Sequence, residues 1–439
     1  MESSNIPIQI KGGNPLQGRV RIQGSKNASL PVLAATLLIP GQCTLDNCPQ
    51  IMDVVCMQKL LEHAGCQVKR TDHRMTVNAE HVREHRLPGE YVGRMRSSVI
   101  LMGALLGRVG QVGIDYPGGC VIGERPIDLH LMALEKLGAQ ITTEGNYIYA
   151  RTSGLRGARI TFPIYSVGAT QNALLAAVTA RGTTILEHAS SEPEITALCE
   201  FLNAAGAQID GIGTDTLTID GVDALHEVEY RMISDRIVAG TYLFATMAAG
   251  GQIILEDAPV SHMESVLQVL EQMGASIITC TDQRTMLLQA PEEAKNLPLV
   301  ETAVYPGFPT DLQSPLMAAA CVARGRLILR ERIFSGRFKI IEELCRMGAR
   351  IIQTQDCAVI EGGRLLEGRH VIARELRGGA ALLIAGLAAD GITTVSDTIY
   401  IRRGYENITG DLRNLGAVIG EVTTISRYRV EAFCRWGSE

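Results

Sequence analysis

"LEKLGAQIT", residues 134–142, runs from an amphipathic stretch through Gly138 into a β-prone one. A glycine between two such patterns reads as a helix C-cap, where the backbone needs a positive φ that side chains resist. The junction recurs five more times, as "LLEHAGCQV" (60–68), "LNAAGAQID" (202–210), "LEQMGASII" (270–278), "LCRMGARII" (344–352) and "LRNLGAVIG" (412–420). The glycines, Gly65, Gly138, Gly206, Gly274, Gly348 and Gly416, stand 73, 68, 68, 74 and 68 residues apart. Such spacing predicts six copies of one supersecondary unit, none able to bury its apolar face alone.

A second series, Gly41, Gly110, Gly182, Gly251, Gly325 and Gly391, lies 23 to 28 residues earlier. Each follows an Ala/Leu-rich stretch such as "NALLAAVTARG" and precedes a short strand pattern such as "TTILEHA". One unit is therefore helix, strand, helix, strand, with further strands before the next unit. A chain of 439 residues exceeds one ordinary core, and six units suit two pseudo-symmetric domains of three.

The first helix of each unit is apolar nearly all round, which predicts a central, buried position. Its start is nevertheless polar each time. Counting back 14 to 16 residues from the second glycine series gives Lys26, Arg96, Ser166, Asp235, Asp311 and Arg377. N-capping accounts for Ser166, Asp235 and Asp311. It does not account for Lys26, Arg96 and Arg377, because a cation at a helix N-terminus opposes the macrodipole. An anion between cation and helix end would reconcile them. A second ring, 10 to 12 residues after the same glycines, holds Cys120, Glu192, Arg337 and Arg403. Taken singly, these arginines suit a solvated surface. Taken with Lys26, Arg96, Arg125 and Arg377, they form a set of cations expected to repel one another unless something strongly anionic binds.

Bulk properties exclude other classes. The net charge is −6 with Lys and Arg spread throughout, which argues against nucleic acid or an anionic membrane as the main partner. "MESSNIPIQIKGG" lacks the basic-then-apolar pattern of an export signal, and no apolar run is long enough to span a bilayer. Eleven cysteines with no CxxC and no Cys/His cluster predict reduced thiols, a cytoplasmic setting and no zinc site.

Six stretches then point to a family: "GSKNASLP", "PGGCVIGERPIDLH", "SVGAT", "SEPEI", "GFPTDLQ" and "RRGYENI". From about residue 7 to residue 420 the chain resembles the UDP-N-acetylglucosamine enolpyruvyl transferase (1-carboxyvinyltransferase) family, which performs the first committed step of peptidoglycan synthesis and so serves cell shape and division. The related 5-enolpyruvylshikimate-3-phosphate synthases share the six-unit architecture, but "PGGC" and its Arg-Pro step favour the UDP-sugar enzymes. The resemblance implies an α/β fold of two inside-out barrels, each of three repeats. It implies residues 25–233 as one domain, 1–24 with 234–439 as the other, and an active site in the cleft between them.

The reaction implied moves the enolpyruvyl group of phosphoenolpyruvate to the 3-hydroxyl of UDP-N-acetylglucosamine and releases phosphate. No metal or organic cofactor is implied, and the oligomeric state is left open. Cys120 matches the loop cysteine that protonates the alkene, can form an adduct with phosphoenolpyruvate, and is alkylated by fosfomycin. A buried apolar thiol is the alternative for an anonymous cysteine, but a double-glycine loop is a poor place to bury one. Its glycines suit a closing loop, and nearby Arg125 and His130 would favour the thiolate. Asp311 matches the carboxylate that takes the sugar hydroxyl's proton. Lys26, Arg125 and Arg403 match phosphate-binding positions and Arg337 and Arg377 carboxylate-binding ones, with Lys26 and Arg403 counted with the catalytic set. Asn27 matches a residue beside both substrates. Arg96, Arg125, Pro126, Ile127, Asp128, Leu129, Ser166, Val167, Gly168 and Ile333 match the sugar-nucleotide site, with Ser166–Gly168 receiving the diphosphate.

The chain departs from the family pattern at Ile164, at Ser335 and Gly336 in "FSGRF", at Glu375 and at Arg402. Losing acids at 335 and 402 predicts a more positive local field. The tail 426–439 has no usable match. Two other readings stay open here: an enolpyruvyl transferase with another acceptor, such as shikimate 3-phosphate, and a non-catalytic sugar-nucleotide sensor.

Overall fold

A computed structural model describes residues 5–118, 123, 126–280, 282 and 284–422. Its contacts divide the chain into two compact units. One takes Gln23–Asp235 with Val304–Pro306; the other takes the described parts of Met1–Ile22, Arg236–Ala303 and Gly307–Glu439.

Three mostly apolar helices lie at the centre of each unit. In the Lys26 unit they are Lys26–Ala35, Leu101–Val109 and Val167–Ala177; in the Asp311 unit, Arg236–Ala249, Gln313–Val322 and Leu376–Ala388. Nearly every residue of these helices is buried, as expected for segments apolar on all faces. The three in the Asp311 unit pack on one another. In the Lys26 unit, helices 101–109 and 167–177 approach so closely that a Cβ on Gly103 would lie 2.2 Å from the Asn172 carbonyl oxygen. Asn172 uses the closeness: its side chain accepts from Gly103 N–H (2.7 Å) and donates to the Val99 carbonyl (3.2 Å).

Among the described residues, sheets surround these helices, three per unit. Five have four strands and one has three. The common plan is a parallel strand pair extended by an antiparallel hairpin. Leu299–Glu301 runs parallel to Arg326–Arg330, which pairs with Cys357–Glu361, and that in turn with Arg350–Gln353. In the sheet of Gln111–Asp115 the parallel partner shrinks to one bridge, Arg86 to Gly113. In the sixth sheet Ile8–Lys11 lies between Ile392–Ser396 and Val418–Glu421, so the start of the chain completes the last unit. Each unit is an inside-out α/β barrel.

The repeat glycines behave as their spacing requires. All six of the first series have φ between 95° and 108°. Five of the second series are also positive; Gly41 is not. A Cβ on Gly41 would lie 2.7 Å from the carboxylate of exposed Glu227, which accepts the Gln42 N–H and would have to shift.

Candidate active site

In the Lys26 unit the cation at the helix start is already partnered. Lys26 Nζ lies 3.3 Å from Asp53 Oδ2, with both side chains largely buried. The Lys26 backbone N–H donates to Asp235 Oδ2 (3.0 Å), and Ser25 caps the helix by accepting from Ala28 N–H. Arg96 opens a 3-10 turn, Arg96–Ile100, ahead of its central helix. Its guanidinium sits 5.3 Å from the Tyr116 ring centre, Nη1 donates to the Pro117 carbonyl (3.1 Å), and buried Nη2 has no acceptor among the described residues. A buried donor in that state carries its full desolvation cost. Ser166 caps helix 167–177 through Ala169 N–H, and a Cβ on Gly168 would lie 3.0 Å from His130 Nε2. Pro126 and Asp128 are exposed, Ile127 is buried and Leu129 half-buried, at the start of helix Asp128–Lys136. Asn27 is half-buried. Cys120 and Arg125 lie outside the described residues, as does the tail 426–439.

The root of the Cys120 stretch corrects one expectation. Gly118 does not serve as a positive-φ hinge. It is needed because a Cβ there would lie 1.7 Å from the Gly93 carbonyl oxygen.

In the Asp311 unit the signs are reversed. Asp311 Oδ1 accepts from Arg337 Nη2 (2.7 Å), and Oδ2 accepts from Arg377 Nη2 (3.1 Å) and Nε (3.3 Å). Both guanidinium groups are almost fully buried. Arg337 Nη1 also donates to the Thr310 carbonyl, while buried Arg337 Nε has no acceptor among the described residues. Arg337 lies against Phe334, and Arg377 lies 5.5 Å from the Tyr405 ring centre. Asp311 does not hold the N-cap position expected of it: it sits inside the 3-10 turn Thr310–Leu312, and Leu312 holds the cap position of helix 313–322. Ile333 is exposed, and Arg403 ends the 3-10 turn Thr398–Arg403.

Two further expectations change. The cations need no ligand to offset them all, because Lys26, Arg337 and Arg377 each meet a protein carboxylate. The helix starts at Lys26 and Arg377 also receive protein anions, Asp235 at one and Glu375 at the other. Glu375 accepts from both Arg377 and Gly378 N–H. Arg402 adds no uncompensated charge, since Nη2 meets Glu421 at 2.7 Å.

Sequence reasoning does not single out Glu331, yet the carboxylate is 5% exposed and has four donors. Oε1 accepts from Thr302 Oγ1 (2.8 Å), Ile333 N–H (2.8 Å) and Phe334 N–H (3.0 Å), and Oε2 from Thr310 Oγ1 (2.9 Å). A signal for it exists in the repeats. An acid stands 5 or 6 residues after every glycine of the second series: Asp46, Asp115, Glu187, Glu256, Glu331 and Asp397.

Burial sets four of the described thiols apart from Cys280 and Cys345, which are exposed. It pushes Cys43, Cys66, Cys199 and Cys321 up to about 12, which keeps them protonated. Among the described residues no group of three or more His, Cys, Asp or Glu could hold a metal ion. None of the described helices is long and apolar enough to cross a membrane.

The family model described as EPSP synthase (3-phosphoshikimate 1-carboxyvinyltransferase) matches residues 10–412. The chain belongs to the EPSP synthase family. Within it, the chain is 44% identical over 412 residues to UDP-N-acetylglucosamine 1-carboxyvinyltransferase 2 of Caldanaerobacter subterraneus subsp. tengcongensis, covering 94% of this chain and 98% of that one. It is 45% identical over 416 residues to the UDP-N-acetylglucosamine 1-carboxyvinyltransferase of Chlorobium chlorochromatii, covering 94% and 97%. The enolpyruvyl transferase NikO of Streptomyces tendae superposes with a TM-score of 0.84 at 25% identity, over 96% of this chain and all of that one. An EPSP synthase of Acinetobacter baumannii, 18% identical with a TM-score of 0.73, shares the fold.

Proposed function

We propose that this chain is a UDP-N-acetylglucosamine 1-carboxyvinyltransferase: it moves the enolpyruvyl group of phosphoenolpyruvate to the sugar 3-hydroxyl and releases phosphate, the entry step of peptidoglycan synthesis. The observation that carries the reading is Asp311 held between Arg337 and Arg377, on a chain whose relatives carry that name across nearly their whole length. We place the reaction in the cytoplasm, where both substrates are made.

Chemically the reaction is an addition followed by an elimination. The sugar oxygen attacks the central carbon of phosphoenolpyruvate while the methylene carbon gains a proton; that proton is then lost and phosphate departs. Cys120 supplies the proton to the methylene carbon, and Asp311 accepts the one from the 3-hydroxyl. Lys26, Arg125 and Arg403 hold the phosphate. Arg337 and Arg377 hold the carboxylate, for which a planar guanidinium fork is well matched.

Those two arginines are already engaged with Asp311, so the incoming carboxylate competes with it. Binding phosphoenolpyruvate draws the guanidinium groups toward the substrate and releases an Asp311 oxygen for the sugar hydroxyl. The buried donors Arg96 Nη2 and Arg337 Nε gain acceptors when anions arrive. Asn27, Arg96, Ile333, Ser166–Gly168 and residues 125–129 bind the sugar nucleotide in this reading.

Mass spectrometry of the product tests the acceptor. Incubation with phosphoenolpyruvate and an equimolar mixture of UDP-N-acetylglucosamine and shikimate 3-phosphate is expected to modify the sugar nucleotide alone. Modification of shikimate 3-phosphate would overturn the assignment, and binding without any product would favour a sensor.

A further inference from the structure

We propose that Glu331 is a positioning residue: it ties the turn that carries Asp311 to the turn that carries Ile333 and Arg337, and so keeps the base in reach of its proton. The inference rests on the reaction assigned above. Three observations lead to it.

First, Glu331 joins segments far apart in sequence. One carboxylate oxygen takes the N–H groups of Ile333 and Phe334 and the Thr302 hydroxyl; the other takes the Thr310 hydroxyl. Thr310 immediately precedes Asp311, and its carbonyl accepts from Arg337, which also grips Asp311. The result is a closed loop of contacts: Glu331 to Thr310, through the backbone to Asp311, to Arg337, and back along the 331–337 turn.

Second, all four contacts to the carboxylate come from neutral donors. A carboxylate buried this deeply is costly unless well hydrogen-bonded. Four aligned donors fix it rigidly, which a site requiring geometry within a fraction of an ångström can use. Third, the backbone of Glu331 is anchored independently, by donation of its N–H to the Asp356 carbonyl (2.8 Å). The tie therefore works from a fixed post toward Asp311.

Thr310→Val isolates the link. It keeps the shape of the side chain and removes the hydroxyl that donates to Glu331 Oε2, while the Thr302, Ile333 and Phe334 donors stay on Oε1. The loss falls on the Asp311 side. The full chain is assayed for phosphate release from phosphoenolpyruvate with UDP-N-acetylglucosamine, and amide hydrogen exchange over residues 309–313 is read without substrates. Positioning predicts kcat lowered on the order of tenfold with KM for either substrate within about threefold. In an Asp311→Asn background the same change should cost less than about twofold, because no base remains to be positioned. Exchange over 309–313 should rise. Equal losses in both backgrounds, or unchanged kcat with unchanged exchange, would overturn the proposal. If the unaltered chain releases no phosphate with these substrates, the assigned reaction fails, and the exchange measurement alone decides whether Glu331 holds the Asp311 turn.

Discussion

Lys26 and Asp311 occupy the same place in the repeat, at the start of a central helix, and each is held by groups of the opposite charge. The Lys26 ammonium meets one carboxylate, Asp53, and a second, Asp235, accepts from the Lys26 backbone N–H. The Asp311 carboxylate meets two guanidinium groups, Arg337 and Arg377, and Glu375 accepts from the Arg377 backbone N–H. Counted alike, the first set carries two carboxylates to one cation and the second two to two. One repeat position has thus been turned into a restrained cation in one unit and a restrained anion in the other. An arriving anion finds guanidinium groups at the second, each shared with a protein carboxylate; at the first it must displace a carboxylate from the ammonium.

Breaking the Asp311 triad should have the largest effect. Asp311→Asn is expected to lower kcat by on the order of 10² to 10⁴ without weakening binding of phosphoenolpyruvate, since the competitor for the two arginines loses its charge. Isothermal titration alongside steady-state kinetics checks both halves. Unchanged turnover would remove Asp311 as the base, and weaker binding would refute the competition.

Breaking the Lys26 set should act on stability as well as activity. Lys26→Met leaves Asp53 buried beside an apolar side chain and is expected to cost about 3 kcal/mol in chemical denaturation. Lys26→Met combined with Asp53→Leu should recover most of it. No recovery would mean that the ion pair is not what Lys26 contributes.

A smaller effect is expected from Arg337→Lys, which keeps the charge and loses the fork. KM for phosphoenolpyruvate should rise about tenfold, the value of a charge-assisted hydrogen bond. The smallest lies away from both sets. Asp411 is raised above its usual range, mainly by burial, although the Tyr242 hydroxyl donating to it at 2.5 Å opposes the shift. A raised carboxyl contributes stability that is complete below its unfolded value and is lost as pH rises through its folded value. Asp411→Asn should therefore melt close to the parent chain at pH below about 4 and progressively above it as pH increases. An advantage that shrinks with pH would contradict the assignment.

The fold was legible because its signal is local. Each helix end needs a positive φ, and Gly65 to Gly416 state that need at a fixed period. The buried central helices followed from composition alone. The charge pairings were not legible because the partners come from distant segments. Arg377 is 66 residues from Asp311, Asp53 is on the next helix after Lys26, and Glu421 neutralises Arg402 from the final strand. A count of cations along a sequence omits the acids that folding brings to them. Gly118 shows the same limit in steric form. Its sequence context suggests freedom, whereas the Gly93 backbone demands its small size. Glu331 lay in a periodic row of acids, but only its four donors set it apart from the others.

The most direct test of the account is phosphate release under single omission of each substrate. The chain should release phosphate only when phosphoenolpyruvate and UDP-N-acetylglucosamine are both present, and Asp311→Asn should slow the release by on the order of 10² to 10⁴ while still binding phosphoenolpyruvate. Release that needs no sugar nucleotide, or that keeps its rate without Asp311, would contradict it.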